Sequence, residues 1–333
     1  MSKNVFITGI TGYIGSEATA QLISAPSTSI HKYAALIRNS SKASVVDSLG
    51  IRPVVASLDD NQVLSEEAYK ADIIIHLADS ADHVPAFNAL SKGMKRREAE
   101  GKETIYIHCS STGSIIEDSR GEFATDKIYH DLDKSKLGPH DVPDNALHRN
   151  VDLLVLAASS NLIKTHIISP STVYGLADNV FVQRGISNKS SVQVPLLIRA
   201  GIDRQQGGVE GKGLNTLPIG SAIRFLLEKA IEGKTATGRD GYYFAETGEY
   251  IHRDTARKIA ELLAARGIGK PEPNQFSEEE VERYFRGTLL VGSSCRCRGE
   301  RIRALGWEPQ YNSEHFYESL EAEVDNEIAA ARR

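Results

Sequence analysis

Short, uninterrupted apolar runs recur along the first two-thirds of the chain, at Asn4–Thr8, Tyr33–Arg38, Pro53–Ser57, Asp72–Leu77, Thr104–Cys109 and Lys164–Ser169. They do not alternate with polar positions, which predicts strands covered on both faces. Helical patterns lie between them. Tyr13–Ser24 sets Ile14, Ala18 and Leu22 on one face, and Val84–Glu100 reads as a helix with a charged end. Asp144–Ser159 carries Leu147, Val151, Leu154, Val155 and Ala158 at helical spacing. This alternation predicts βαβ units, hence an α/β fold with a Rossmann-type doubly wound parallel sheet.

After Ser169 the rhythm breaks. Gly201–Gly213 is rich in glycine and polar residues and reads as a connecting loop. Pro218–Glu232 reads as a helix with proline in its first turn, and Tyr242–Ala245 as a late strand. Helices are predicted at His252–Arg266, Ser277–Arg286, Arg298–Leu305 and Glu314–Ala331. The expected organisation is a nucleotide-binding domain over residues 1–170, rejoined by 216–246. Residues 171–215 and 247–333 form a smaller, mostly helical substrate-binding domain.

The 333 residues suffice for a sizeable core, and the net charge of −5 argues against a nucleic-acid partner. No apolar run approaches the ~20 residues of a membrane span, and the N-terminus enters a strand at once, so the expected location is cytoplasmic with no membrane partner. Cys109, Cys295 and Cys297 are too few for a disulfide framework and lack zinc spacing, so no metal is expected. The basic groups Lys92–Arg97 and Arg296–Arg303 read as solvated helix ends.

Candidate chemistry begins at the first strand, which runs directly into Gly9-Ile10-Thr11-Gly12-Tyr13-Ile14-Gly15 and a helix. Gly9 permits a tight turn, Gly12 a close backbone approach to a pyrophosphate, and Gly15 close packing of helix on strand. The free N–H groups and dipole of the helix start favour an anion. The second strand ends in Arg38, with Asn39, Ser40, Ser41 and Lys42 following. An acidic residue at this position would bond a ribose 2′-hydroxyl. A guanidinium suits a 2′-phosphate instead, so NADP(H) is expected over NAD(H).

These features resemble the extended short-chain dehydrogenase/reductase family, also called the NAD-dependent epimerase/dehydratase family. The Thr8-Gly9-x-x-Gly12-x-x-Gly15 turn is similar to its cofactor motif. Leu58-Asp59 resembles its adenine-contacting segment, and His76-Leu77-Ala78 the turn after its fourth strand. Ser110-Ser111-Thr112 resembles its catalytic serine/threonine segment. Pro170-Ser171-Thr172-Val173-Tyr174-Gly175 resembles its motif after the sixth strand, and Gly306-Trp307-x-Pro309 the end of its substrate domain. The resemblance implies that Thr11, Tyr13, Ile14, Ser110, Pro170 and Val173 also line the cofactor. It further implies a small-molecule substrate and a homodimer formed through the helices after the fourth and fifth strands.

Typical members carry Tyr-x-x-x-Lys on the helix after the fifth strand. Matching the family's helix tail here puts Asp144 at the tyrosine and His148 at the lysine; another register puts His148 at the tyrosine and Asp152 at the lysine. Neither register restores the pair. His148 can hold the nicotinamide ribose as a cation or move a proton itself. Asp144 is a helix N-cap or a proton donor. Ser111 is the first choice to polarise a substrate carbonyl, with Thr112 beside it. Tyr174 lines the pocket or packs, and Tyr129 is a reserve proton donor. Three activities stay open: a hydride-transferring oxidoreductase with a non-standard proton donor, a non-redox lyase, isomerase or cyclase reusing the pocket, and a silent NADP(H) sensor.

Overall fold

The six apolar runs become strands and stand side by side. The structure is a computed structural model and describes residues 2–220, 223–287 and 292–332. Its main sheet has seven strands: β1 (Asn4–Thr8), β2 (Lys32–Ile37), β3 (Ile51–Val55), β4 (Ile73–His76), β5 (Thr104–Cys109), β6 (Ile163–Pro170) and β7 (Tyr242–Ala245). The order is β7-β6-β5-β4-β1-β2-β3, and all pairings are parallel. The chain winds outward from β1 to β3 and then crosses to β4, so the order reverses between β1 and β4. Ligands of such sheets bind at the carboxyl ends of the strands beside that reversal.

Both faces of the sheet are covered, which explains the continuous apolar runs. Val5, Ile7, Ile73, Ile75, Ile105 and Ile107 face a core shared with α1 (Tyr13–Ser24). Phe6, Ile74 and Tyr106 point the other way, into a core with α3 (Asn61–Lys70), α4 (Val84–Ala99) and α5 (Arg149–Ala157). The short α2 (Ala43–Ser48) precedes β3. Beyond β6, α6 (Gln193–Asp203), α8 (His252–Ala265) and α10 (Ser313–Ala331) pack through Val194, Leu197, Ile259, Leu263, Phe316 and Leu320. Helix α7 (Ile223–Ile231) returns to the sheet beside α1, and α9 (Glu278–Phe285) lies against α6.

Several boundaries differ from the expectation. Thr216–Ile219 is a strand, antiparallel to Gly248–Ile251 with Pro218 opposite Glu249, and the helix starts only with α7. A two-stranded ladder accommodates a residue without an N–H. The Gly201–Gly213 stretch is not a plain loop: α6 runs through Gly201, and Gly208–Val209 pairs with Asn274–Gln275. A Cβ on Gly201 would meet the Leu263 side chain at 2.7 Å, and one on Gly207 the Ala260 side chain at 2.5 Å. These glycines therefore serve close packing on α8. The predicted Asp144–Ser159 helix begins at Arg149, because His148 has φ +68°, which ends any helix approaching from Asp144. The predicted Arg298–Leu305 helix shortens to Glu300–Ala304 behind a strand, Cys297–Arg298, that pairs with Tyr129–His130. The basic groups are not simply solvated. Arg97 is buried against Asp72 at 2.6 Å, and Arg296 and Arg298 both bond Glu249.

Candidate active site

The turn after β1 is built by its glycines. Gly9 has φ +89°, and a Cβ there would lie 2.8 Å from the Ala78 nitrogen. A Cβ on Gly15 would overlap the Gly9 carbonyl, so helix α1 sits on the strand end only because residue 15 has no side chain. Gly12 differs: a Cβ there meets only the Gly9 oxygen, at 3.3 Å, and would otherwise project into open space. No side chain caps α1, so its first N–H groups, at Tyr13 and Ile14, stay available to an anion in front of Thr11 and Gly12. A pyrophosphate fits this cradle.

The neighbouring turn is stapled to it. The Thr8 hydroxyl accepts from Leu77 N and Ala78 N, both at 3.1 Å, and donates to His76 Nδ1 at 2.7 Å. Burial pushes the His76 imidazole down to about 3, so it is neutral and can accept that proton. Leu77 and Ala78 thereby line one side of the crevice between β1 and β4.

At the end of β2, Arg38 is exposed and forms no ion pair among the described residues. Asn39 caps the turn Ser40–Lys42 by accepting from Ser41 N at 2.9 Å, while Lys42 Nζ donates to the Ile186 carbonyl at 2.8 Å. Two cations without carboxylate partners thus sit beside exposed serine hydroxyls. Leu58 is half-buried, and Asp59 stands on the rim 3.3 Å from His83 Nε2, at the start of α4.

At the end of β5, Ser110 is buried and its N–H donates to Ile168. Ser111 Oγ accepts from Gly113 N at 3.0 Å, and the segment folds into a short turn, Thr112–Ile115. Thr112 is buried, its hydroxyl beside the Cys295 thiol. Packed on Gly113 of this segment is His148, whose Nδ1 lies 2.8 Å from Asp82 Oδ1. A carboxylate only accepts, so Nδ1–H donates and Nε2 is left for another partner. Nε2 is turned towards Gly113, where a Cβ would come within 2.9 Å of it.

The remaining candidates separate from this pair. Asp144 is exposed in the turn before α5 and is not its N-cap, a place taken by His148. Tyr129 is buried, and burial pushes its phenol up. It lines a cavity of about 280 Å³ that also includes Ser114 and Ala146. The Tyr174 hydroxyl bonds His315 Nδ1 at 3.2 Å and its ring meets Phe316 edge-on, so it packs against α10. Burial pushes that phenol up to about 12. Pro170 ends β6 and Val173 follows, half-buried, near the crevice. Tyr13 reaches across and donates to the Tyr174 carbonyl at 2.6 Å, closing α1 onto this segment.

A sequence model of the NAD dependent epimerase/dehydratase family matches residues 5–175, from β1 to the end of the Pro170–Gly175 segment. The chain belongs to that family. Similar proteins include Oxidase ucsJ of Acremonium sp, 27% identical over 338 residues that cover 93% of each chain. The 4-hydroxy-2-methyl-3-oxo-4-farnesyl-3,4-dihydroquinoline-1-oxide ketoreductase of Stigmatella aurantiaca is 25% identical over 188 residues, 53% of this chain and 52% of that protein. Among solved structures, the UDP-glucose 4-epimerase of Thermotoga maritima, determined with UDP-glucose, aligns with a TM-score of 0.64 at 15% identity. That alignment covers 99% of this chain and 100% of that one.

Two residues of this epimerase/dehydratase family member escape sequence reasoning. Asp82 lies 66 positions before His148, in a turn preceding α4, and no local pattern marks it. Gly113 stands next to the serine segment, but its role depends on the imidazole packed against it. Among the described residues no His, Cys, Asp and Glu group could hold a metal ion, and no helix is long and apolar enough to cross a membrane. The three cysteines are free and buried.

Proposed function

We propose that this protein is an NADP(H)-dependent oxidoreductase acting on a carbonyl group of a small organic substrate, with His148 as its proton carrier. The observation that carries the reading is the His148–Asp82 pair at 2.8 Å, with the free Nε2 turned to the Ser111–Gly113 segment. The relative named as an oxidase supports redox chemistry, and the one named as a ketoreductase supports a carbonyl as its target. The nicotinamide supplies or accepts the hydride when bound. Gly9, Gly12 and the uncapped start of α1 would hold its pyrophosphate. Arg38, with Ser40, Ser41 and Lys42, would hold the 2′-phosphate in place of the acidic residue that selects NAD.

The chain's own residues then divide the work. Ser111 orients the substrate oxygen. Asp82 fixes the imidazole tautomer and stabilises the cation formed when Nε2 takes a proton, or the donor state when it gives one. The family's tyrosine needs a nearby lysine to act near neutral pH; here the His148 imidazole would move the proton itself. The experiment is a spectrophotometric assay of NADPH consumption across a carbonyl panel. Turnover by the wild type, falling about 10²–10⁴-fold in His148→Ala, supports the reading. A panel in which no carbonyl exceeds background rejects it. The same dyad suits a non-redox isomerase or lyase, which substrate conversion without net NADPH consumption would identify.

A further inference from the structure

The long connection between β5 and α5 folds back on itself and lines a cavity of about 280 Å³ that opens to solvent at Lys127, Pro143 and Asn145. This is near the lower end of the ~300–1,000 Å³ typical of ligand pockets. Neither Ser111 nor His148 lines it, but it touches the two chain segments that carry them. On one, Ser114 lines it and its hydroxyl donates to the Ser111 carbonyl at 3.2 Å. On the other, Asn145 and Ala146 line it, immediately before Leu147 and His148. Ile115, Ile116 and Pro143 supply apolar walls, and the buried Tyr129 contributes to the lining.

The charges in the lining cancel. Lys127 Nζ lies 3.1 Å from Glu117 Oε1, and the Thr125 hydroxyl donates to the other oxygen of that carboxylate. Thr125 and Lys127 hold the Glu117 carboxyl below its ordinary range, so it is ionised near neutral pH opposite Lys127. The adjoining segment is equally closed to anions. It pairs with the cavity's own chain, through Glu117 with Ser294 and Tyr129 with Cys297. Its arginines are engaged within the protein. Arg296 and Arg298 bond Glu249, Arg303 bonds Glu246 at 2.7 Å, and Arg301 donates to the Asp131 carbonyl at 2.6 Å. Gripping a diphosphate with these guanidinium groups would leave buried or half-buried carboxylates unpaired, which is costly.

We infer that this cavity is the substrate pocket and that it takes a compact, neutral, ring-sized ketone or aldehyde, not a nucleotide-diphosphate sugar of the kind bound by the Thermotoga maritima epimerase. The inference deepens the proposed reading and rests on it for the reaction, though not for the binding. Small size follows from the volume, neutrality from the paired charges, and an apolar body from the isoleucine and proline walls. Ser114, Thr125 and Asn145 supply the few polar groups that fix orientation.

The test is binding to the full chain by saturation-transfer NMR, using cyclohexanone, acetophenone and 1-tetralone, a carboxylated 1-tetralone, and UDP-glucose. Each is measured with and without NADPH, on wild type and on Asn145→Trp, a substitution at an exposed position that fills the cavity. NADPH titration of the same samples reports fold integrity and the cofactor site separately. At least one neutral ketone is expected to bind. Its affinity should fall about tenfold or more on carboxylation and in Asn145→Trp, with NADPH affinity unchanged by the variant. UDP-glucose should not compete. Binding of UDP-glucose that displaces the ketone overturns the inference, as does failure of all three neutral ketones or indifference to Asn145→Trp. Ketone binding sensitive to Asn145→Trp in a protein that ignores NADPH would keep the cavity assignment and sink the cofactor reading.

Discussion

The least expected residue relationship is the one around Gly113. Its lack of a side chain lets the His148 ring approach the serine segment, and Asp82 holds that ring from the other nitrogen. Gly113→Ala therefore displaces the imidazole while leaving the glycine turn at Gly9–Gly15 untouched. The expected result is unchanged NADPH affinity with turnover reduced about 10²-fold, the scale of a catalytic group misplaced by an ångström. Steady-state kinetics beside a binding titration check it, and full activity in the variant would show that the ring's position is unimportant. Legibility at this scale was uneven. Gly9, Gly12 and Gly15 announce themselves because a strand, a turn and a helix are contiguous in sequence. His148 was visible only through the family's helix tail. Asp82 is invisible in the sequence because its partner lies on a different element, and the helical spacing that includes Asp144 is cut by the left-handed backbone of His148.

Among the elements, α10 links the C-terminal part to the cofactor turn. Glu323 Oε1 accepts from Gly175 N at 2.8 Å, Tyr174 bonds His315, and Tyr13 bonds the Tyr174 carbonyl. Burial, with Glu327 nearby, pushes the Glu323 carboxyl up from 4.5 to about 7. A raised folded pKa means that the folded state favours the protonated form. The stability it contributes is complete below pH ~4.5 and lost as pH rises through about 7. Glu323→Gln keeps an acceptor for Gly175 and removes the buried charge. It should stabilise the protein at pH 8 by roughly 1–3 kcal/mol and give little at pH 5, measured by thermal unfolding at both values. Equal effects at both would refute this account of the carboxyl. The apolar strands were the easiest elements to read, since burial on both faces leaves no competing pattern. Pro218 misled because proline suits a helix start and an isolated ladder equally, and only its pairing with Glu249 distinguishes them. The glycines at 201 and 207 suggested looseness, whereas their cause is the contact with α8.

At the level of the whole molecule, the parallel sheet brings the ends of β1, β2, β4, β5 and β6 to one edge, where every proposed cofactor and substrate group stands. That arrangement was legible from the alternation of runs and helices. The pocket was not, because its walls come from the connection between β5 and α5, which has little regular structure of its own. The central claim is a dinucleotide with a 2′-phosphate lying from the glycine turn to Arg38. The most direct measurement is a titration of wild type and Arg38→Ala with NADPH and NADH. The account predicts that the wild type binds NADPH more tightly. The variant should lose about 1.5–3 kcal/mol towards NADPH, the scale of hydrogen bonds to a charged group, and keep its affinity for NADH. Equal loss for both cofactors, or no binding of either to the wild type, would contradict it.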